Sequence, residues 1–327
     1  MRTEISERVR QLHNRALIID SHCDTLTAMP VQHRRLGEES RQGHVDLPRL
    51  KAANVKIQYF AAFVEPQYYA RPLLRLLEII DLFQHEVQDN AGSLWPVYGR
   101  EDLERVLAGS AVGALLTVEG GECLEGSLAV LRQLYRLGVR SITLTWNHRN
   151  QLADGVSEAR TGGGLSHFGV QVVREMNRLG MLVDLAHISE AGFWQALQES
   201  SQPVLVSHAN SRAICDHPRN LSDAQIRALA AAGGVIGLCF YPPFVHGERP
   251  DLDKLLDHAV HIASIAGVDC LGIGSDFDGI KTVLPGLEDV ACLPVLTEGL
   301  LERGFSESEV EKILGLNHLR LLRQVLQ

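Results

Sequence analysis

The sequence predicts an α/β protein, a single TIM-like (β/α)8 barrel. Eight apolar runs of strand length recur along the chain, and segments with apolar residues at helical spacing separate them. Several of these runs end in a histidine or a carboxylate, at the end of the strand where barrels carry their chemistry. No low-complexity segment, fixed-period repeat or flexible linker interrupts residues 1–327, which therefore read as one domain of a length that barrels routinely use.

The first strand is Leu17–Asp24, an apolar run closed by Asp20, His22 and Asp24. Alternation along an extended chain places His22 and Asp24 on one face and Cys23 on the other, where packing is its expected role. Residues 31–46 are polar, with basic and turn residues, and read as a long loop. Val55–Phe63 is the second strand, and residues 71–89 carry apolar positions at helical spacing. Ala111–Glu119 is the third strand, closed by Gly120 and Gly121. An amphipathic helix from Leu128 to Leu137 stops at Gly138. Val139–Trp146 is the fourth strand, and the polar, glycine-rich stretch Asn147–Gly164 is a second long loop. A helix over 168–179 ends at Gly180 and leads into the fifth strand, Met181–His187, after which Ser189 and Glu190 start a helix. Pro203–His208 is the sixth strand, and Ser222 caps a helix that runs to Ala232. Val235–Tyr241 is the seventh, residues 252–266 are helical, Cys270–Asp276 is the eighth, and a helix-rich tail follows.

Composition narrows the function classes. The chain is 45% hydrophobic and 22% charged, as ordinary globular proteins are, and its net charge of −9 with no basic run argues against a nucleic-acid partner. No apolar run approaches the roughly 18 residues of a membrane span. The charged, helix-patterned start Met1–Arg10 lacks the apolar segment of a signal peptide, which places the expected protein in the cytoplasm. None of the six cysteines forms a C-x-x-C pair, so zinc-ribbon and thioredoxin-like readings fall away and buried free thiols are expected.

What the strand ends share is metal chemistry. His22 and Asp24 close the first strand, Glu119 the third, His187 the fifth, His208 the sixth and Asp276 the eighth. Imidazole nitrogen and carboxylate oxygen are both zinc ligands, at about 2.0–2.2 Å. One His-x-Asp carries little weight alone. A ring of strands, however, gathers all six residues around one mouth, and that points to an enzyme with a metal centre.

Seven segments carry a more specific likeness: Ile19-Asp-Ser-His-Cys-Asp24, Val118-Glu-Gly-Gly121, Leu144-Thr-Trp-Asn147, Val183–Ser189, Val206-Ser-His208, Arg219-Asn220 and Gly274–Gly279, with Val45–Leu50 as a further one. In these the chain resembles the renal-type (membrane) dipeptidase family of zinc peptidases, within the amidohydrolase-like barrels. The resemblance implies two zinc ions per chain, one held by His22, Asp24 and Glu119, the other by Glu119, His187 and His208. Related barrels that bridge their metals with a carbamylated lysine place it on the fourth strand; this chain has no lysine there, and Glu119 is the available bridge. The resemblance further implies hydrolysis of free dipeptides by a metal-bridging hydroxide, with tolerance of a D-residue at the carboxyl end. Asp276 is then the general base and acid, and Arg219 pairs with the substrate's terminal carboxylate. It also admits a homodimer, and no membrane or nucleic-acid partner is expected.

One position departs from the family. Several members carry a histidine after Leu-Thr to polarise the scissile carbonyl, and this chain has Trp146, whose indole donates one hydrogen bond and carries no charge. His148, two residues on, is a candidate to reach the substrate from the loop, and Tyr241 is a candidate contact at the end of the seventh strand. Two other readings use the same residues: a metal-dependent hydrolase of N-acyl amino acids, lactams or cyclic amides, and a barrel that keeps its metal without catalysis.

Overall fold

Each of the eight apolar runs contains a strand in the computed structural model, which describes residues 5–327. The first four residues of the charged start lie outside them; the helix there is Glu7–Arg15, with the Ser6 side chain accepting from the Val9 N–H. The strands are β1 (Ile18–Cys23), β2 (Val55–Phe63), β3 (Leu94–Pro96), β4 (Val112–Glu119), β5 (Val139–Thr143), β6 (Leu182–Asp184), β7 (Leu205–Ala209), β8 (Val235–Leu238) and β9 (Leu271–Ile273). Their order is β2-β1-β9-β8-β7-β6-β5-β4-β3, and β2 pairs in addition with β4, from Ile57 opposite Gly113 to Phe63 opposite Glu119. That pairing closes eight parallel strands into the expected barrel.

The ninth strand, β3, has no counterpart in the sequence pattern, because three residues ending in proline carry no alternation signal. It forms because β5 pairs only with the second half of β4, Leu116–Glu119, and leaves the first half free for Leu94–Pro96. The helix Thr25–Gln32 after β1 also escapes the pattern, since it contains Pro30 and little amphipathic periodicity.

Packing leaves the mouth as the place for a site. Ile19, Ile57, Tyr59, Leu115, Leu182, Leu205 and Val235, from six strands, cluster with Leu319, Leu322 and Val325 of the C-terminal helix Asn317–Val325. This apolar floor closes the lower end of the barrel. Higher up, strands β7, β8 and β9 approach so closely that a Cβ on Gly274 would lie 1.8 Å from the Ser207 carbonyl oxygen, and one on Gly237 2.1 Å from it. Only glycine fits either place. Among the described residues, no helix is long and apolar enough to cross a membrane.

Candidate metal centre

The strand ends deliver their side chains by different local routes. The register of β1 against β2 shifts between Asp20 and Cys23, and Asp24 has already left the extended conformation, at φ −98° and ψ 26°, to cap the following helix. Simple alternation therefore does not bring His22 and Asp24 together. The shift and the helix start do, and His22 Nε2 stands 3.2 Å from Asp24 Oδ2. Cys23 is buried, with its thiol donating to the Tyr59 carbonyl. Glu119 is the last residue of β4, and His208 lies within β7. His187 and Asp276 sit beyond their strands in left-handed backbone, at φ +64° and +65°, a conformation that costs a non-glycine residue about 1 kcal/mol and here turns each side chain into the mouth.

The six residues converge. Glu119 Oε1 lies 2.9 Å from His187 Nε2 and 3.6 Å from His208 Nε2, while Glu119 Oε2 lies 3.8 Å from His22 Nε2. Asp276 Oδ1 is 3.9 Å from His22 Nε2. Three groups bring their donor atoms within 4.8 Å of one another: His22, Asp24 and Glu119; Glu119, His187 and His208; and His22, His208 and Asp276. The first two are the ligand sets that the family resemblance implies.

Hydrogen bonds fix which nitrogen of two histidines carries the proton. His187 Nδ1 donates to the side-chain oxygen of Asn147 at 2.8 Å. Ser207 Oγ gives its proton to Asp184 at 2.6 Å, so it can only accept from His208 Nδ1, at 2.9 Å. Both Nε2 atoms are thus bare acceptors, and they face each other at 2.8 Å. Two lone pairs so opposed, beside a carboxylate, call for a cation between them. Burial first, then the positive charges of Arg219 and His22, holds both imidazoles well below the usual histidine range, and so neutral.

The other half of the cluster carries the opposite imbalance. Burial works against a charged His22, but Glu119, Asp24 and Asp276 outweigh it and push its pKa up to about 10. Burial, with the Asp24 charge beside it, lifts Glu119 well above the usual carboxylate range. The same two causes, opposed by His22 and Arg219, bring Asp276 to about 7. Asp24 Oδ1 is buried without a partner. Donor types, spacing and unbalanced charge all fit divalent cations.

Above the cluster opens a cavity of about 760 Å³, within the usual range for small-molecule sites. Asp24, Glu119, His187 and Asp276 form its base, Trp146 and Tyr241 line its wall, and so do Phe63 and Phe244, which the sequence did not single out. Arg219 is buried under Phe244, its guanidinium carbon 5.3 Å from the ring centroid. One of its nitrogens donates to the His208 carbonyl at 3.1 Å, and Nε is buried with no partner. His148 stands exposed, edge-on to Trp146 at 5.8 Å, and does not line the cavity.

A family model described as "Membrane dipeptidase (Peptidase family M19)" matches residues 6–327. The chain belongs to this family. Membership makes it a peptide-bond hydrolase and implies a metal ion at the cluster. Among related proteins, the chain is 36% identical over 297 residues to Dipeptidase verJ of Clonostachys rogersoniana, covering 87% of this chain and 76% of that protein. It is 35% identical over 344 residues to the uncharacterized dipeptidase C965.12 of Schizosaccharomyces pombe, covering 97% and 82%. Of solved structures, a metallopeptidase from Rhodobacter sphaeroides, liganded with a phosphinate mimic of the dipeptide L-Ala-D-Ala, superposes with a TM-score of 0.89 at 25% identity, over 95% of this chain and 99% of that one.

Within this dipeptidase framework, two buried aspartates that the sequence reading left without a role support the cluster. Asp20 accepts from the Ser275 N–H at 2.9 Å, the Ser275 hydroxyl at 2.6 Å and Gln58 Nε2 at 3.0 Å, and so ties β1 to β2 and to the segment carrying Asp276. Asp184 does the same for β5, β6 and β7 through Thr143 and Ser207. Each interrupts an apolar run, and a carboxylate there must find donors or stay out of the interior. That interruption was the available signal.

Proposed function

We propose that the chain is a binuclear zinc dipeptidase. Glu119 would be shared by the two ions, with His22 and Asp24 completing one ligand set and His187 and His208 the other. The observation that carries this reading is the pair of bare Nε2 atoms of His187 and His208, 2.8 Å apart against the Glu119 carboxylate. Zinc held there would supply Lewis-acid chemistry, activating water and polarising the substrate carbonyl. Asp276, whose Oδ1 lies 3.9 Å from His22 Nε2 at the edge of the cluster, would take a proton from the attacking water and return it to the leaving nitrogen.

Arg219 accounts for the restriction to dipeptides. Its guanidinium, behind Phe244 at the cavity wall and with Nε unpartnered, supplies the positive charge that would pair with the substrate's terminal carboxylate. Arg219 is tied to the carbonyl of His208, itself a member of the cluster, so a substrate with its carboxylate there and its scissile carbonyl at the cluster would keep a single residue after the cleaved bond. A D-residue there is accepted as well, in line with the L-Ala-D-Ala mimic held by the Rhodobacter relative.

The test compares each variant on a dipeptide and on its C-terminal amide. Arg219→Ala raises KM for the dipeptide by about ten- to hundredfold, the scale of a charge-assisted hydrogen bond, and leaves the amide little changed. Arg219→Lys recovers part of the loss, since a point charge replaces a fork. Equal losses on both substrates would assign Arg219 to the fold or the metals.

A further inference from the structure

We infer that Trp146 and Phe63, with Ala28 and Val31 beside them, form an apolar subsite that selects the side chain of the substrate's amino-terminal residue. The inference rests on the dipeptidase reading and on Arg219 as reader of the carboxylate. Arg219 lies after β7 and under Phe244, which follows β8, so the carboxyl end of a bound dipeptide belongs on that side of the mouth. In the ring β1-β2-β4-β5-β6-β7-β8-β9, the strand diametrically opposite β7 is β2, and Phe63 is its last residue. The cluster into which His22, Glu119, His187 and His208 converge from both halves of the ring holds the place of the scissile bond. The amino-terminal residue therefore points at the wall made by Phe63, by Trp146 after β5, and by the helix Thr25–Gln32.

That wall is apolar and held in place. The Trp146 ring lies 5.3 Å from Phe63, 6.2 Å from His187 and 5.8 Å from His148. Val31 lines the cavity while 76% exposed, apolar surface that a ligand would cover. Glu65 lines the same side, but both of its oxygens are bound by Arg75 at 3.1 Å, which leaves no free carboxylate to draw a basic side chain. Where a histidine would have served the scissile carbonyl, the indole supplies contact area and no charge.

The experiment measures kcat/KM of the zinc-loaded enzyme on Gly-Gly, Leu-Gly, Phe-Gly, Lys-Gly and Gly-Leu. Wild type favours Leu-Gly and Phe-Gly over Gly-Gly by about 10- to 100-fold, the range for burying one large apolar side chain. Trp146→Ala and Phe63→Ala each shrink that ratio about five- to tenfold and leave the Gly-Leu to Gly-Gly ratio within about twofold. Trp146→Phe restores most of the preference, which a lost structural role would not allow. Zinc content and melting temperature of each variant identify any that fails to fold, and Val31→Asp, at a 76% exposed position of the same wall, then carries the test by lowering Leu-Gly and Phe-Gly against Gly-Gly. A preference for Lys-Gly, an unchanged ratio in Trp146→Ala, or an equal fall for Gly-Leu overturns the subsite and leaves the dipeptidase reading standing. Hydrolysis of none of the dipeptides overturns the dipeptidase reading, and the subsite with it.

Discussion

Asp184→Asn asks how the His208 nitrogen that faces Glu119 stays free of its proton. Asp184 Oδ1 accepts the N–H groups of Ala186 at 3.0 Å and Ser207 at 2.9 Å, and Oδ2 accepts the hydroxyls of Thr143 and Ser207, each at 2.6 Å. An asparagine can keep the first pair of contacts, but its NH2 then faces two hydroxyls that must turn round and accept. Ser207 swings its proton towards His208 Nδ1, and the imidazole proton moves to Nε2. A proton on the ligand atom competes with the cation. Loss of an outer partner of this kind lowers metal affinity by about 10- to 100-fold, or ~1.4–2.7 kcal/mol. Ser207→Ala removes the acceptor altogether and should weaken zinc over the same range. The assay is a competition titration of zinc against a chromophoric chelator at neutral pH, with a melting curve to establish that the variant folds. A folded Asp184→Asn protein with zinc affinity within about twofold of wild type would show that the relay does not set the tautomer.

Three further outcomes are expected. Chelation abolishes hydrolysis, and Glu119→Gln lowers the zinc content of both sites at once because the bridging charge is gone; elemental analysis showing two retained equivalents in Glu119→Gln would contradict the bridge. Asp276→Asn keeps its metal and loses ~10²–10⁴ in turnover, the scale of a positioned proton-transfer group; near-normal turnover would remove Asp276 from the mechanism, and metal loss would make it a ligand. His258 and His318, well away from the cluster, are held by burial at a pKa of about 4. His258 Nδ1 accepts from the Ser211 N–H at 3.1 Å and Nε2 donates to the Val245 carbonyl at 2.9 Å, while His318 Nε2 donates to the Ile273 carbonyl at 3.0 Å. The unfolded chain binds these protons first, at about 6.5, so the stabilisation is full above that pH and is lost as pH falls towards about 4, up to ~3 kcal/mol for each group. Urea midpoints across that interval should drop steeply, and a flat profile would mean that both imidazoles charge freely in the folded state.

Much of the barrel and the cluster could be read in advance because both follow from chemistry local to each strand. A strand buried on both faces must be apolar, and a polar residue at its end must be solvated or bound to something, so His208 and Glu119 stand out where they stand. Apart from the helix Thr25–Gln32, whose Pro30 and weak periodicity hide it locally, what escaped depends on partners distant in sequence. Leu94–Pro96 becomes a strand only because β5 leaves half of β4 unpaired. The left-handed turns at His187 and Asp276 have no glycine to announce them and are held by their surroundings. His22 meets Asp24, as alternation predicts, but by a register shift and a helix start instead. Asp20 and Asp184 were visible as interruptions; Ser275, which supplies two of the hydrogen bonds to Asp20, lies 255 residues away, where no local pattern reaches.

Because β1 lies between β2 and β9, a chain leaving the ribosome must extend past Ile273 before its first strand gains a second neighbour. Until then β1 keeps an open edge, and Asp20 lacks both Ser275 donors. The apolar floor waits longer still, for Leu319 and Val325. An unfinished barrel with an unpaired edge and exposed floor is the kind of intermediate that chaperones hold. Closure is a late event that joins the first strand to the last, and His22 and Asp24, carried at the end of β1, gain the Asp276 side of their surroundings only then.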